Sequence, residues 1–290
     1  MALRPFVQVD VFTREPMRGN ALAVVLDGRG LSTATMQAFA QWTNLSETTF
    51  VVEPTSPKAS YAVRIFTPRS ELPFAGHPSV GTAWALLDAG LVHGTELIQE
   101  CAAGLLRVSV GGEPNARRVS VQSPQSQRSA LAPALIEALP RALGGASLCG
   151  ERPIRADVGA QWILAELQNR NAVRAIAPDR DALIALSKQA NVVGVAAFSF
   201  EPGLPIPLEL RAFAPFDGID EDPVTGSAQA AVGDWLLAQG RLDAVSLQYQ
   251  ASQGFAVRRD GRVQVRIDAD RRVHIGGECV ALIRGAVAID

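Results

Sequence analysis

His77 is the histidine whose neighbours in the sequence best suit chemistry. It lies in the string Gly76-His77-Pro78, shortly before an apolar helix that we predict to begin at Gly81 and to end near Ala89. The first backbone N–H groups of a helix have no partner inside the helix and carry a partial positive charge, which suits a substrate carboxylate. A histidine in such a loop can equally bond only to the loop backbone. Both interpretations are open for this segment alone.

A second candidate segment, Glu221–Ser227, precedes another apolar helix, which we predict to begin at Gly226. Two acidic residues before a helix are ordinarily an N-cap and its neighbour. The segment nevertheless occupies the same place in the second half of the chain as the His77 loop does in the first. If the two halves face each other, both helix N-termini could grip one carboxylate, while His77 and Asp222 hold the other polar groups of that ligand.

Glu47 is the third candidate, because it stands where the loop Asn44–Ser46 enters an apolar strand rich in β-branched residues. A carboxyl group is costly to bury unless it is paired or protonated. Burial raises a carboxyl pKa towards neutrality, which a proton-shuttling acid/base needs. The alternative, which the sequence by itself favours, is a loop glutamate in water. Elsewhere in the first half, Gly19-Asn20 is predicted to be a turn that could line the ligand site.

An internal repeat connects the first two candidate segments. Arg64–Pro68 and Arg211–Pro215 share the pattern Arg-x-Phe-x-Pro at an offset of 147 residues, and the predicted helix starts Gly81 and Gly226 follow at an offset of 145. A period this long is not that of a solenoid. It predicts two similar domains with a ligand in their shared cleft. We place the first domain at 1–117, with a C-terminal strand at about 281–290 able to complete it, and the second at 118–280.

Short strands dominate both halves, and each half has one well-marked apolar helix. This pattern predicts an α+β fold of two pseudo-symmetric domains, each a mostly antiparallel, curled sheet around its helix. A further helix should follow an N-cap at Ser32 and end near Thr43. Arg64 and Arg211 should tie their loops to the sheets. The predicted strands are Val7–Phe12, Ala21–Leu26, Tyr61–Phe66, Gln161–Glu166, Val193–Phe200, Leu208–Phe213, Phe255–Arg258 and Val263–Ile267, with a turn at Gly111–Asn115.

The composition narrows the class of protein. The chain has 290 residues, an apolar fraction of 48% and a formal net charge of −2, with no basic stripe for nucleic acid. The three cysteines form no C-x-x-C pair, the three histidines are not spaced as metal ligands, and there is no glycine-rich nucleotide loop. We therefore expect no metal and no cofactor, and cysteines that are core thiols. No apolar stretch is long enough for a membrane helix, so we expect a cytoplasmic protein.

The candidate segments together resemble the PhzF family of phenazine biosynthesis-like proteins, which are relatives of diaminopimelate epimerase in fold. The matching segments are Gly19–Val25, Asn44–Phe50, Glu71–Pro78 with Gly81-Thr82-Ala83, and Glu221–Ala228. The resemblance implies a cofactor-free isomerase with a diaminopimelate epimerase-like fold and one active site in the interdomain cleft. It also implies a small-molecule substrate and a homodimer. The best-known member converts trans-2,3-dihydro-3-hydroxyanthranilate to its keto tautomer by moving a proton between ring carbons.

Carried over residue by residue, the resemblance gives each candidate a role. Glu47 would lift the proton and return it elsewhere on the ring. His77 and Asp222 would orient the amino and hydroxyl region of the substrate, and Ser227 would assist them. The amides near Gly76 and Gly226 would hold polar oxygens, and Ser46 and Asn20 would complete the substrate site.

This chain departs from the epimerase relatives in one respect. Those relatives place a cysteine in each half as a two-base pair, and the segments Ala75–His77 and Glu221–Ser227 contain none. A single carboxylate suits a proton shift along one face of the substrate better than inversion of the configuration at a carbon. Two alternatives stay open: an epimerase or lyase acting on another small carboxylate, and a catalytically idle homologue that binds a metabolite.

Overall fold

The computed structural model describes residues 2–113, 116–242 and 247–290, so part of the turn predicted at Gly111–Asn115 lies outside the described residues. The strands are β1 (Leu3–Val11), β2 (Asn20–Val25), β3 (Glu47–Val52), β4 (Tyr61–Phe66), β5 (Glu71–Leu72), β6 (Glu96–Cys101), β7 (Gly104–Gly111), β8 (Arg118–Gln122), β9 (Gln127–Ala130), β10 (Ile154–Asp157), β11 (Gln161–Glu166), β12 (Gly194–Phe200), β13 (Leu208–Ala214), β14 (Ile219–Asp222), β15 (Gln248–Gln253), β16 (Gly261–Ile267) and β17 (Val273–Ala288). The α-helices are α1 (Thr33–Thr43), α2 (Gly76–Asp88), α3 (Pro133–Ala142), α4 (Arg170–Arg174), α5 (Arg180–Ala190) and α6 (Gly226–Ala238). Short 3-10 helices cover Pro215–Asp217 and Phe255–Val257.

The chain divides into two compact units. Unit 1 comprises Met1–Pro124 with His274–Asp290, and unit 2 comprises Gln125–Val273. The boundaries that we predicted, at 117 and near 280, each lie seven residues from these. The difference arises because β8 pairs with residues 274–278 of β17 and with β7, which keeps both segments in unit 1.

The strands of unit 1 close on themselves. Their order is β17–β1–β2–β3–β4–β6–β7–β8, and β8 pairs again with β17. All of these pairs are antiparallel except β2–β3 and β4–β6. Helix α2 is buried from Gly76 to Leu86 and packs against β1, β2, β3 and β8. A Cβ atom at Gly81 would come within 2.7 Å of side-chain carbons of Val11 and Leu22, so glycine allows the helix to approach these strands.

Unit 2 repeats the same order of pairing. From β10 to β16 the partners and their directions match those from β1 to β7, with β11–β12 and β13–β15 as the parallel pairs. Helix α6 is almost wholly buried and packs on β11 and β16. The predicted fold class, an α+β fold with a mostly antiparallel sheet and a central helix in each unit, is confirmed.

The helices correct the predicted alignment of the repeat. Gly76 and Gly226 each begin a 13-residue helix, and Gly90 and Gly240 follow these helices with φ of 68° and 67°. The helices are therefore offset by 150 residues, although the strands before them are offset by 147. The three extra residues of unit 2 lie between β13 and β14, where the 3-10 helix Pro215–Asp217 is inserted. Our prediction that Gly81 corresponds to Gly226 was wrong.

The equivalent arginines support this alignment. Arg64 forms two hydrogen bonds with Glu71, of 2.7 and 2.6 Å, and Arg211 forms two with Glu221, of 2.9 and 2.7 Å. The two glutamates are 150 residues apart, like the helices. As predicted, each arginine ties the loop before its helix to the sheet.

One predicted strand was wrong, and several helices were not foreseen. Phe255–Val257 is a 3-10 helix because Gly254 and Arg258 on either side have positive φ, of 101° and 60°, which ends an extended chain.

Helices α3 and α5 of unit 2, which were not predicted from the sequence, pack on the apolar face of β11 and β12. The helix predicted after Ser32 is confirmed, with the Ser32 hydroxyl accepting a hydrogen bond from the Thr35 amide. Among the described residues, no helix is both long and apolar enough to span a membrane.

Candidate active site

His77 is the second residue of α2, and its ring is buried. We predicted that it lies in a loop before a helix starting at Gly81, and the helix begins five residues earlier. Pro78 explains the difference, because a proline in the first helical turn gives up an N–H group that has no partner inside the helix. The Gly-His-Pro string is thus part of the helix.

Both ring nitrogens of His77 have partners. Nδ1 lies 2.9 Å from Oε2 of Glu47, and Nε2 lies 3.1 Å from the backbone carbonyl oxygen of Asn20. A carbonyl oxygen only accepts hydrogen bonds, so Nε2 carries a proton. The contact between Nδ1 and Oε2 then holds one further proton, which belongs either to an imidazolium facing a carboxylate or to a carboxylic acid facing a neutral imidazole. In both forms the pair is neutral overall and shares one mobile proton.

Glu47 is the first residue of β3, and its side chain is 15% exposed. The alternative that the sequence favoured, a loop glutamate in water, is therefore wrong. Parallel pairing with β2 places Glu47 beside Leu22, two residues beyond Asn20. Ser46, immediately before the strand, is half-buried. Unit 1 therefore brings Asn20, Glu47 and His77 into direct contact, with Ser46 and Gly76 as their chain neighbours.

A buried chain of hydrogen bonds fixes the start of α2. The Tyr61 hydroxyl donates to the Gln99 side-chain oxygen (3.0 Å), the Gln99 amide donates to the Ser79 hydroxyl (2.9 Å), and that hydroxyl donates to the Ala75 carbonyl (2.8 Å). Ala75 is the residue before the helix. The first turn, which carries His77, is thus held by partners from β4 and β6.

In unit 2, Asp222 is the buried last residue of β14. One of its carboxylate oxygens accepts a hydrogen bond of 2.6 Å from the Thr225 hydroxyl. Gln253 of β15 fixes both residues, because its amide nitrogen donates to the Asp222 carbonyl (2.9 Å) and to the Thr225 hydroxyl (2.8 Å). Its oxygen accepts from the Thr225 amide (3.0 Å). The Asp222 carboxylate is thus oriented by a chain of buried donors.

Ser227 is the second residue of α6, the position that His77 occupies in α2. The indole Nε1 of Trp162 in β11 donates a hydrogen bond of 3.1 Å to the Ser227 hydroxyl oxygen. The repeat therefore relates His77 to Ser227. Asp222 has a different counterpart, because strand register relates it to Leu72 of β5. The repeat therefore does relate the His77 segment to the segment Glu221–Ser227, through Ser227 and not through Asp222.

Glu47 has no acidic counterpart in unit 2. Pairing of β3 with β2 places Glu47 beside Leu22, and pairing of β12 with β11 places Gly194 beside Trp162. Gly194 is therefore the residue that corresponds to Glu47. A Cβ atom there would lie 1.9 Å from the Phe213 carbonyl oxygen, so the backbone leaves no room for a side chain. The two units share a scaffold, but only unit 1 has a carboxylate at this position.

The cysteines lie outside these clusters. Burial raises the pKa of each thiol, so all three are protonated at neutral pH. Cys279 is a core thiol as predicted, whereas Cys101 and Cys149 are only half-buried, which corrects our prediction for them. Among the residues that the structure describes, no three His, Cys, Asp or Glu side chains form a group that could hold a metal ion.

Sequence reasoning gave no role to Trp162, to Thr225 within the candidate segment Glu221–Ser227, or to Gln253. The first and last belong to strands that are far from the candidate segments in sequence, and no motif marks them. Their role depends on which strands pair and in which register, which a single sequence does not reveal.

The buried carboxylate–imidazole pair at the start of a central helix defines a protein suited to proton transfer. The profile of the family described as "Phenazine biosynthesis-like protein" (PhzC-PhzF) matches residues 9–285. The chain is 35% identical to Antisense-enhancing sequence 1 of Schizosaccharomyces pombe, over 98% of this chain and 99% of that protein. It is 31% identical to trans-2,3-dihydro-3-hydroxyanthranilate isomerase of Pseudomonas chlororaphis, over 98% of this chain and 99% of that protein.

A solved structure agrees with the sequence relatives. The PhzF-family phenazine biosynthesis protein of Bacillus anthracis superposes with a TM-score of 0.84 at 26% identity, with both chains covered completely. The fold and the sequence matches together define an enzyme of the isomerase class. The chain belongs to the PhzF family, as its motifs predicted.

Proposed function

We propose that the protein is a cofactor-independent isomerase that moves a proton within a small cyclic amino or hydroxy acid, with Glu47 as the single acid/base. The observation that carries this proposal is the contact of 2.9 Å between Nδ1 of His77 and Oε2 of Glu47, two side chains that are largely buried. A carboxylate in such a place can take a proton from carbon and keep it close to the ring.

The proposed reaction starts from the imidazolium–carboxylate form of the pair. The imidazole engages Oε2, so Oε1 of Glu47 takes the proton from a ring carbon, and the C–H electron pair enters the conjugated system of the substrate. The Glu47–His77 pair then carries a net charge of +1 beside the new substrate anion, which stabilises that anion electrostatically. Return of the same proton to another ring carbon restores the starting enzyme.

Unit 2 supplies the proposed partners for the polar groups of the substrate. The Asp222 carboxylate would accept hydrogen bonds from an amino or hydroxyl group, while Ser227 and the amides near Gly226 would donate to oxygens. In unit 1 the amide near Gly76 would donate similarly. That residues of both units act on the same substrate, and that the protein is a homodimer, are parts of the proposal. Ligand-binding measurements on Asp222→Asn and the size of the protein in solution test these two parts.

Trans-2,3-dihydro-3-hydroxyanthranilate is the first substrate to test, because the Pseudomonas chlororaphis relative is named for its isomerisation. The compound would be incubated with the protein in heavy water while NMR follows the ring protons. We expect rearrangement by the wild type. Glu47→Gln keeps the shape and removes the titratable group, so it should lower kcat by about 10³-fold and leave the Kd for the stable analogue 3-hydroxyanthranilate nearly unchanged.

Glu53→Gln is the matched control, because Glu53 follows the same strand but is exposed to solvent. It should turn over at the wild-type rate. Rearrangement by Glu47→Gln at the wild-type rate would remove Glu47 from the mechanism. Solvent exchange at carbon without rearrangement would favour an epimerase or lyase, and binding without any exchange would favour an idle metabolite-binding homologue.

A further inference from the structure

Trp162 is buried in β11, and its indole N–H points at a single partner, the hydroxyl oxygen of Ser227, at 3.1 Å. Strand pairing fixes the position of the indole, because Trp162 lies between Ala156 of β10 and Gly194 of β12. At the neighbouring position Gly194 the backbone of Phe213 leaves no room for a side chain, so no side chain on β12 lies beside the indole at that position. The corresponding residue of unit 1 is Leu22, which has no hydrogen-bonding group.

The direction of this hydrogen bond determines what Ser227 can do. An indole nitrogen only donates, so the Ser227 hydroxyl accepts, and its own hydrogen must point away from the ring. A serine hydroxyl in the first helical turn could otherwise rotate between donor and acceptor roles. With one lone pair taken by Trp162, the hydroxyl hydrogen is directed away from the indole and is available to donate to another acceptor.

We propose that Trp162 is a positioning residue that acts through Ser227 and holds its hydroxyl as a hydrogen-bond donor to an acceptor oxygen of the substrate. This inference rests on the proposed function, because it takes Ser227 to contact the substrate. It assigns to unit 2 a device different from that of unit 1. In unit 1 the equivalent helix position is His77, held by a carboxylate and a carbonyl, and in unit 2 it is Ser227, held by an indole.

The hydrogen bond itself is tested without any substrate. The chain has four tryptophans, so indole N–H signals in a ¹⁵N–¹H spectrum are few, and Trp162→Phe identifies the one from Trp162. Ser227→Ala should shift that signal towards the position of an unbonded indole and leave the other indole signals in place. A Trp162 signal that does not respond to Ser227→Ala would overturn the proposal.

The functional role is tested by a double-mutant cycle on kcat and KM with trans-2,3-dihydro-3-hydroxyanthranilate. Trp162→Phe keeps an aromatic ring and removes the N–H group, and we expect kcat/KM to fall about tenfold, as for one lost hydrogen bond, mainly through KM. The kcat/KM of Ser227→Ala should fall by at least as much. Because Trp162 acts only through Ser227, adding Trp162→Phe to Ser227→Ala should cause no further loss.

Trp235→Phe is the matched control. Trp235 is also buried in unit 2, but its indole nitrogen has no hydrogen-bond partner among the described residues, so removing it should leave kcat/KM unchanged. Additive losses in the cycle, with an active wild type, would overturn the role of Trp162 and leave the proposed function intact. If the wild type does not turn over the compound, the same cycle is measured on the Kd of 3-hydroxyanthranilate. Absence of both turnover and binding overturns the proposed function, and this proposal with it.

Discussion

His77 cannot act as an independent base, because both of its ring nitrogens are engaged. The Asn20 carbonyl fixes the proton on Nε2, so any change in protonation occurs at the contact between Nδ1 and Glu47. In the proposed mechanism the imidazole ring orients Oε2 of Glu47 and offsets the negative charge of its carboxylate. The ring has two contacts, one from Nδ1 to Glu47 and one from Nε2 to the Asn20 carbonyl. An amide side chain at position 77 can reproduce either contact without the other.

His77→Asn and His77→Gln should differ in their effects. The asparagine amide nitrogen can occupy the place of Nδ1 and still donate to Glu47, whereas the glutamine amide reaches the place of Nε2 and keeps only the contact with Asn20. We expect kcat to fall about 10²–10³-fold for His77→Gln and clearly less for His77→Asn. Steady-state kinetics measure the difference, with circular dichroism to verify folding. Equal losses of kcat in both variants would show that the contact between position 77 and Glu47 does not contribute to kcat.

At the scale of elements, the sequence predicted the two central helices and about half of the strands, because apolar runs and turn residues are local signals. The start of α2 was misplaced because Gly76 and Pro78 ordinarily mark loops, and only packing decides whether a helix extends through them. The burial of Glu47 could not be derived either. It follows from pairing with β2 and from contact with a histidine 30 residues away. Both are long-range tertiary contacts, which local sequence patterns do not reveal.

Strand β17 changes partners within its length. Its residues 274–278 pair with β8, and its residues from Cys279 onward pair with β1. Glu278 stands at this change, with its side chain 12% exposed and hydrogen-bonded to Arg14 and Arg118. Burial by itself raises the pKa of Glu278, but the hydrogen bonds and charges of the two arginines outweigh burial and lower the pKa overall.

This lowered pKa predicts a pH-dependent contribution to stability. The ionised carboxylate binds the arginines only in the folded state, so its contribution is complete above the pKa of an unfolded glutamate and is lost as the pH falls through the lower folded pKa. Glu278→Gln should lower the free energy of unfolding by about 1 kcal/mol at pH 7. The difference from wild type should shrink below about pH 4. Urea denaturation at several pH values measures it.

Glu15→Gln is the control for this prediction, because the Glu15 side chain is 79% exposed and lies 4.0 Å from Arg18. It should leave the free energy of unfolding unchanged at every pH. A loss of stability in Glu278→Gln that is as large at pH 3 as at pH 7 would assign the effect to packing of the side chain and not to its charge.

At the scale of the whole chain, the two halves of the repeat share one arrangement of strands and helix but carry different functional side chains. The same strand order and the same 13-residue helix occur in both units, yet Glu47 corresponds to Gly194 and His77 to Ser227. The steric exclusion of a side chain at Gly194 means that a second carboxylate could not be restored there by a single substitution. Because only unit 1 has a carboxylate at this strand position, the proposed mechanism has the proton leave and return through Glu47.

The use of Glu47 as the one acid/base in the proposed mechanism predicts partial retention of label in the product. After Glu47 takes a deuteron from labelled carbon, Oε1 carries only that deuteron, and exchange with water competes with its return to the ring. Trans-2,3-dihydro-3-hydroxyanthranilate deuterated at the carbon that loses its hydrogen, converted in ordinary water, should therefore give product with part of the deuterium at the receiving carbon and on the same face. Mass spectrometry and NMR of the product at early conversion measure the retained fraction. Delivery of the proton to the opposite face would contradict a one-carboxylate mechanism and point to a second base.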